Sequence, residues 1–392
     1  MKLEKHPKEP EIYSYYNSKN EKLWMYRHKY YDNLGNRKEK KKSGFKTDKA
    51  ALRALLEVKA LTLRGETKSI EHDNLTVGQW LDIWYETNKK KWKKTTTENR
   101  KNAIYNRLKP LIGHYKLQKL DRYTYQREFI NALEGKFKPK SIITWHNTFK
   151  IAINAAVEEE ILIRNKFTKV SIPKDDEEVN NNYLTQPELD LLIEDAMENE
   201  HITNCMFILT LAFTGMRRGE ALGLHWSNID FENNTITVER SRDTLSTHTP
   251  KTKNSYRTII VDKELIQQLK KYKLWCKELI FAFGKKITDD TFVFISRHTA
   301  EPISADTARM ALERIVQRTN INKDITLHGL RHSHCTILLN RGVNVKLIAE
   351  RLGNTPEMIH KVYGHIFKES ETEVANIFSE SVRTIGAKTG AN

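Results

Sequence analysis

Four stretches in the C-terminal half carry residue types that could do chemistry. The first is Thr214-Gly-Met-Arg217-Arg-Gly-Glu220, after an apolar run ending at Phe213. Gly215 breaks that run's helix, Arg217 opens the next one, and Glu220 stands three residues on, where a carboxylate can hold a guanidinium in one orientation. The second is Thr249-Pro-Lys251-Thr-Lys253-Asn-Ser-Tyr-Arg257-Thr-Ile. With Ile236–Arg240 it reads as a β-hairpin carrying Lys251 and Lys253 at or near its tip, from which a lysine could protonate a leaving oxygen. The third is Leu327-His328-Gly-Leu-Arg331-His332-Ser-His334-Cys335, where His328 and Arg331 share a helix face. The fourth runs from Ile348 through Leu352-Gly353-Asn354 to Val362-Tyr363-Gly364-His365. Taken singly, each has an ordinary reading: a surface ion pair, a solvated turn lysine, a packed tyrosine. Together, two arginines, a lysine, a histidine and a tyrosine are what metal-free attack on a phosphodiester requires. Tyrosine is the nucleophile, the arginines balance charge developing on the non-bridging oxygens, histidine manages the tyrosine proton, and lysine protonates the leaving 5′ oxygen.

Other chemistries find little support. The chain has no G-x-x-x-x-G-K-[ST], no G-x-G-x-x-G and no H-E-x-x-H. It also lacks an acidic cluster suited to two-metal phosphoryl chemistry. His332, His334 and Cys335 suggest a metal, but no acidic ligand is near and Arg331 would repel a cation. No metal and no cofactor is expected.

Three groups of elements would position these residues. Residues 1–66 read as a small α+β domain: a sheet of three strands from Ile12 to Phe45, then a helix capped at Thr47 or Asp48. Gly65 to Asn74 reads as a polar linker. Residues 75–172 read as all-α: Val77, Trp80, Leu81 and Trp84 recur at helical spacing, and Thr95–Thr97 could cap a following helix. A polar run, residues 175–182, leads to a mainly α third domain, 183–392, with a small β-hairpin.

Charge divides the same way. The net charge is +16. Residues 1–70 hold 18 Lys and Arg against 9 Asp and Glu, residues 75–174 hold 21 against 9, and residues 175–392 hold 27 against 30. A basic front half is expected to grip a polyanion, nucleic acid first, because neutralised phosphates release counterions. Candidate phosphate contacts are Lys40, Lys41 and Lys42 on the sheet, Lys90, Lys91, Lys93 and Lys94 around Trp92, and Lys138 and Lys140. No membrane partner is expected: no apolar helix face flanks the charge, and the longest apolar stretch, Cys205–Phe213, is too short to span a bilayer. At 39% hydrophobic residues the chain can build cores, which excludes wholesale disorder. No secretory signal is visible, and three scattered cysteines suit reduced thiols in a cytoplasmic protein.

The ordered set T-G-M-R-R-G-E, K-T-K-x-S-x-R-T-I, H-G-L-R-H, L-G-N and V-Y-G-H resembles the tyrosine recombinase (phage integrase) family over residues 183–370. The front domains look like the arm-binding and core-binding domains of integrases from temperate phages and conjugative transposons. The resemblance implies Arg217 and Arg331 as catalytic arginines, Lys251 as the hairpin lysine with Lys253 competing, His328 as the first histidine, Tyr363 as the nucleophile, and Glu220 as support for Arg217. The family usually has His, sometimes Trp, where this chain has Asn354. Asparagine can donate a hydrogen bond to phosphate but cannot carry a proton; His365 is the candidate to compensate.

The resemblance implies a site-specific recombinase that integrates and excises a mobile element. Four protomers would act on two double-stranded sites through a 3′-phosphotyrosyl link and a Holliday junction, without ATP. Residues 1–64 would bind arm sites, an excisionase or a host DNA-bending protein would assist, and the tail through Val374, Ile377 and Phe378 would pack on a neighbouring protomer. The rivals are a type IB topoisomerase, against which the arm-like domain argues, and a non-catalytic DNA-binding protein of the same fold.

Overall fold

The computed structural model describes residues 3–32, 34–172, 182–243, 247–248 and 256–369. It comprises two compact units, residues 1–178 and 179–392.

The first unit begins with strands β1 (Glu4–Lys5), β2 (Ile12–Tyr16), β3 (Lys22–Tyr31) and β4 (Arg37–Phe45), neighbours in that order in one antiparallel sheet. The sequence suggests three strands. The fourth, β1, is two charged residues with no apolar alternation to announce it; it forms by pairing Glu4 and Lys5 with Ser14 and Tyr13. At the β3–β4 turn the Asp32 carboxylate accepts from the backbone N–H groups of Leu34 and Asn36. Helix α1 (Asp48–Leu63) is capped by Thr47, whose Oγ1 accepts from the Ala50 N–H at 3.1 Å. Its apolar stripe, Ala51, Leu55 and Val58, packs on Ile12, Tyr26 and Tyr30.

The polar stretch 65–74 is not wholly a linker. Helix α2 (Thr67–Glu71) forms within it, because Ile70 has a core to enter and is 2% exposed. Ser69 ties it onward, its carbonyl accepting from Gln118 Nε2 at 2.6 Å.

Helices α3 (Val77–Asn88), α4 (Lys94–Ala103), α5 (Lys109–Ile112), α6 (Arg122–Tyr125) and α7 (Pro139–Glu158) enclose a second core that contains Val77, Trp80, Leu81 and Trp84. A π-type turn, Ile104–Leu108, joins α4 to α5, and another, Gln126–Asn131, extends α6. Thr95–Thr97 do not cap α4. Trp92 packs on Trp84 and Tyr85, so the extended residue at the helix start is Lys93, and Thr97 Oγ1 donates back to the Lys93 carbonyl at 3.2 Å.

The second unit contains α8 (Gln186–Asn199), α9 (Ile202–Thr214) and α10 (Arg218–Leu222), then the short strands β5 (Ile229–Asp230), β6 (Thr235–Val238), β7 (Ser241–Arg242), β8 (Thr247–His248) and β9 (Arg257–Ile260). Helices α11 (Lys263–Ala282), α12 (Ala305–Arg318), α13 (Leu327–Asn340), α14 (Val345–Leu352) and α15 (Pro356–Glu369) complete it. Helix α9 is apolar nearly all round and therefore central; α8, α11, α12 and α13 pack about it. Strand β6 pairs antiparallel with β9, Ile236 opposite Ile259, forming the base of the anticipated hairpin. A smaller core of Cys335, Ile348, Ala349, Leu352 and Ile359 seats α14 and α15 on α13. Cys205, Cys276 and Cys335 are buried. No described helix is long and apolar enough to cross a membrane. Lys251, Lys253, residues 175–181, and Val374, Ile377 and Phe378 lie outside the described residues.

Candidate active site

The turn after α9 organises the site. Gly215 ends the helix at φ +64°, and its N–H donates to the Leu211 carbonyl at 3.0 Å. A side chain is excluded there twice over: the left-handed backbone is costly for L-residues, and a Cβ would stand 2.5 Å from Leu352 Cδ2 and 2.8 Å from His334 Cδ2. This tight turn leaves the Gly215 carbonyl to accept from Arg331 Nη1 at 2.9 Å. It also makes Arg217 the residue that opens α10. Two arginines more than a hundred residues apart in sequence thus meet on one three-residue turn.

Arg217 is held on two sides. Glu220 Oε1 accepts from Arg217 Nη1 at 2.8 Å, and Oε2 accepts from the Arg217 backbone N–H at 2.9 Å. On the other side Nη2 donates to the Gly353 carbonyl at 3.1 Å and to Asn354 Oδ1 at 2.8 Å. Those last acceptors are presented by the end of α14, where Gly353 at φ +64° closes the helix and the Asn354 N–H returns to the Ala349 carbonyl. A guanidinium has five N–H donors; three serve these partners, and the remainder can meet a phosphate. With Asn354 Oδ1 turned to Arg217, its Nδ2 is the donor side of the amide.

Glu220 is 3% exposed, so the pair is not the surface ion pair its spacing allows. Burial alone would raise its pKa; hydrogen bonds and charge from Arg257 and Arg217 outweigh that and hold it lowered.

His328 joins Arg217 and Arg218 in the wall of a cleft of about 450 Å³, floored by Leu312, Ile325 and Leu327. His328 is an exposed residue, yet desolvation, followed by His332, Arg331, Arg217 and Arg218, pushes its pKa down to about 4, so at neutral pH the imidazole is uncharged and can accept a proton. His332 stands edge-on to it, ring centroids 4.8 Å apart. His334 is used elsewhere: Nδ1 meets the Ala212 carbonyl at 2.9 Å, and Nε2 accepts from Arg351 Nε at 3.0 Å. Cys335 is packed in the core with Ile348, Ala349, Leu352 and Ile359.

Tyr363 and His365 lie in α15, one and one-and-a-half turns beyond the fully buried Ile359. Lys251 is not among the residues the structure brings to the site, since it lies outside those described. The sequence reading missed Arg257 and Arg351. Arg257 Nη2 donates to Glu220 Oε2 at 2.8 Å, and Arg351 bonds the carbonyls of Ile260 and Phe213. Both stand inside the chemistry-bearing stretches, but a strand arginine and a helix-end arginine read as solvent-facing until their burial is known.

The basic half sorts its lysines by geometry. Side chains alternate across a strand. Lys41 pairs with Arg27 on the open sheet face, whereas Lys40 is drawn to the helix side, its Nζ 2.6 Å from Asp73 Oδ1 and 2.8 Å from the Ile70 carbonyl. Lys42 is exposed beside the Phe45 ring. Lys90, Lys91, Lys93 and Lys94 are exposed around Trp92, which Arg100 covers at 4.1 Å. Lys138 and Lys140 are exposed at the start of α7, where Arg107 stacks on Phe137 and Trp145.

Comparison with known proteins gives the family. The profile of the Phage integrase family matches residues 182–370. The N-terminal SAM-like domain of phage integrases matches residues 76–134, and an Arm DNA-binding domain matches residues 13–61. The chain belongs to the phage integrase family. It is a site-specific tyrosine recombinase, an enzyme that cuts and rejoins DNA. Among relatives, it is 27% identical over 351 residues to the integrase of Staphylococcus phage L54a, covering 81% of this chain and 97% of that protein. It is 28% identical over 252 residues to the ICEBs1 integrase of Bacillus subtilis, covering 63% of this chain and 67% of the relative. The integrase fold is also shared with the Tn1549 transposon integrase in complex with transposon right end DNA (TM-score 0.66, 21% identity, 79% of this chain and 100% of the other). A lambda integrase dimer bound to a COC′ core site gives TM-score 0.58 at 19% identity, over 92% and 96% of the two chains.

Proposed function

We propose that this recombinase integrates and excises a mobile genetic element, with its catalytic roles divided among six residues. Tyr363 attacks the scissile phosphorus: a tyrosyl O–P bond forms, the P–O5′ bond breaks, and a 3′-phosphotyrosyl link and a free 5′ hydroxyl result. The tyrosine proton passes to neutral His328. Lys251 gives a proton to the departing 5′ oxygen. Arg217 and Arg331 balance charge on the non-bridging oxygens, and Asn354 adds a hydrogen bond. His365 stands two residues past Tyr363 as a secondary candidate for proton transfer. Bond energy stays in the covalent link, so a 5′ hydroxyl from the partner strand reverses the step without ATP.

The observation that carries this reading is the meeting of Arg217 and Arg331 on the 215–217 turn, with His328 in the same cleft wall as Arg217. Supporting it more broadly, lambda integrase has been solved as a dimer on a core site and as a tetramer on a Holliday junction. By that likeness residues 75–172 and 183–392 clamp core sites as a tetramer, residues 1–66 bind arm sites, and an excisionase or host DNA-bending protein assists, in the bacterial cytoplasm. The test is a nicked suicide substrate carrying the element's junction. The native protein should leave a covalent protein–DNA adduct, and Tyr363→Phe should leave none. An adduct that persists in Tyr363→Phe refutes the assignment of the nucleophile.

A further inference from the structure

The hydrogen bonds around Arg217 close into a ring that includes two residues without an assigned role. Glu220 accepts from Arg217 through Oε1 and from Arg257 through Oε2. Arg257 Nε donates to the Arg351 carbonyl at 2.7 Å. Arg351 lies near the end of α14, two residues before Gly353, whose carbonyl, with Asn354 Oδ1, takes the other side of Arg217. The circuit Arg217–Glu220–Arg257–Arg351–Gly353–Asn354–Arg217 thus links α10, β9 and α14. The side chain of Arg257 is 7% exposed, and that of Glu220 is 3% exposed.

Charge explains why a second arginine is there. Arg217 with Glu220 alone is a neutral pair, and a buried carboxylate would draw the guanidinium's charge toward itself and away from a phosphate. Arg257 supplies a second cation to the same carboxylate. It keeps Glu220 ionised despite burial and leaves the triad with one net positive charge for the substrate. Its fork also spans Glu220 and the α14 backbone, which a single-point cation could not do.

We infer that Arg257 is a positioning residue for strand cleavage: it does not touch the DNA but fixes Arg217, through Glu220 and through the end of α14, in the geometry that meets the scissile phosphate. The inference rests on Arg217 being catalytic. It goes beyond that reading by assigning the geometry of Arg217 to a buried strand residue.

The test is Arg257→Lys, which keeps a cation beside Glu220 but loses the fork, with Arg257→Gln as a second variant if the first does not fold. Single-turnover cleavage, core-site Kd and melting temperature are measured on the full-length protein. Cleavage should slow about 10- to 100-fold in either variant, the usual cost of removing a residue that orients an active group, while Kd changes little; melting changes little in Arg257→Lys and falls in Arg257→Gln, which breaks the buried ion pair. A second substrate with sulfur in place of the bridging 5′ oxygen separates the two routes by which β9 could act. A thiolate leaves without needing a proton, so a defect transmitted through Lys251 would vanish on it, and a defect transmitted through Arg217 should persist. Cleavage within twofold of the native rate, recovery on the sulfur substrate, a Kd loss in step with the rate, or in Arg257→Lys a melting loss in step with the rate would each overturn the inference. Full cleavage by Arg217→Lys in the same assay would instead overturn the catalytic reading of Arg217.

Discussion

Glu220→Gln separates a buried structural anion from the surface pair its spacing alone would suggest. The carboxylate accepts three hydrogen bonds, from Arg217 N and Nη1 and from Arg257 Nη2. Glutamine keeps the shape but has a single acceptor oxygen, so at least one arginine donor would face an amide N–H₂, and the charge balancing buried Arg257 is gone. Breaking a buried ion pair costs about 3–5 kcal/mol. Because glutamine retains one acceptor, the lower end, about 3 kcal/mol, is expected. For a unit of about 200 residues each kcal/mol moves the melting temperature by about 2–4 °C, so the second unit should melt about 6–12 °C lower. Thermal denaturation followed by tryptophan fluorescence, with the buried Trp226 in this unit, reads the change. A pH series adds a check. The folded pKa of Glu220 is lowered from 4.5, so its contribution is fully present above pH 4.5 and disappears as pH falls through the folded value. The gap between native and variant should therefore narrow in acid. A melting change below about 2 °C at neutral pH would refute a buried role for Glu220 and return it to the status of an exposed ion pair.

Gly215→Ala should destabilise the second unit by about 2–4 kcal/mol, from left-handed strain plus overpacking against Leu352 and His334; urea unfolding measures it, and a loss under 1 kcal/mol would contradict the crowding. Lys41→Ala should lower the salt dependence of arm-DNA binding by about one unit of slope. Lys40→Ala should leave that slope unchanged and instead cost stability through its lost bonds to Asp73 and Ile70; equal slopes for the two variants would refute the sorting by strand pleat. The stability of the second unit should fall as pH drops from about 6.5 to about 4. His334 has its folded pKa pushed down to about 4 by burial and then Arg351, so the unfolded chain binds a proton that the folded one refuses, with a slope of up to about 1.4 kcal/mol per pH unit. Denaturant midpoints that stay flat over this window would count against the buried neutral imidazole.

Much of the architecture was legible because it rests on local rules. Gly215 after an apolar run, the Thr47 cap, and the spacing of Val77, Trp80, Leu81 and Trp84 each report through their own neighbours. Where the reading failed, the deciding partner was distant. β1 exists only as a pairing partner of β2. Helix α2 forms because Ile70 finds the sheet core, and α4 starts at Lys94 because Trp92 is anchored on α3.

The same division runs through the site. The sequence by itself determined the order and spacing of Arg217, Lys251, His328, Arg331 and Tyr363, the residues proposed for the chemistry, and that the basic charge belongs to the front half. Order and spacing along a chain carry that information. Only the tertiary structure decided that Arg217 and Arg331 share one turn, that Asn354 presents an acceptor to Arg217, and that Lys40 and Lys41 face opposite ways. It alone turned Arg257 from an ordinary strand cation into the partner of a buried carboxylate. Burial is a property of what packs around a residue, and the elements that bury Glu220 and Arg257 come from three separate parts of the chain, so no window of sequence contains them together.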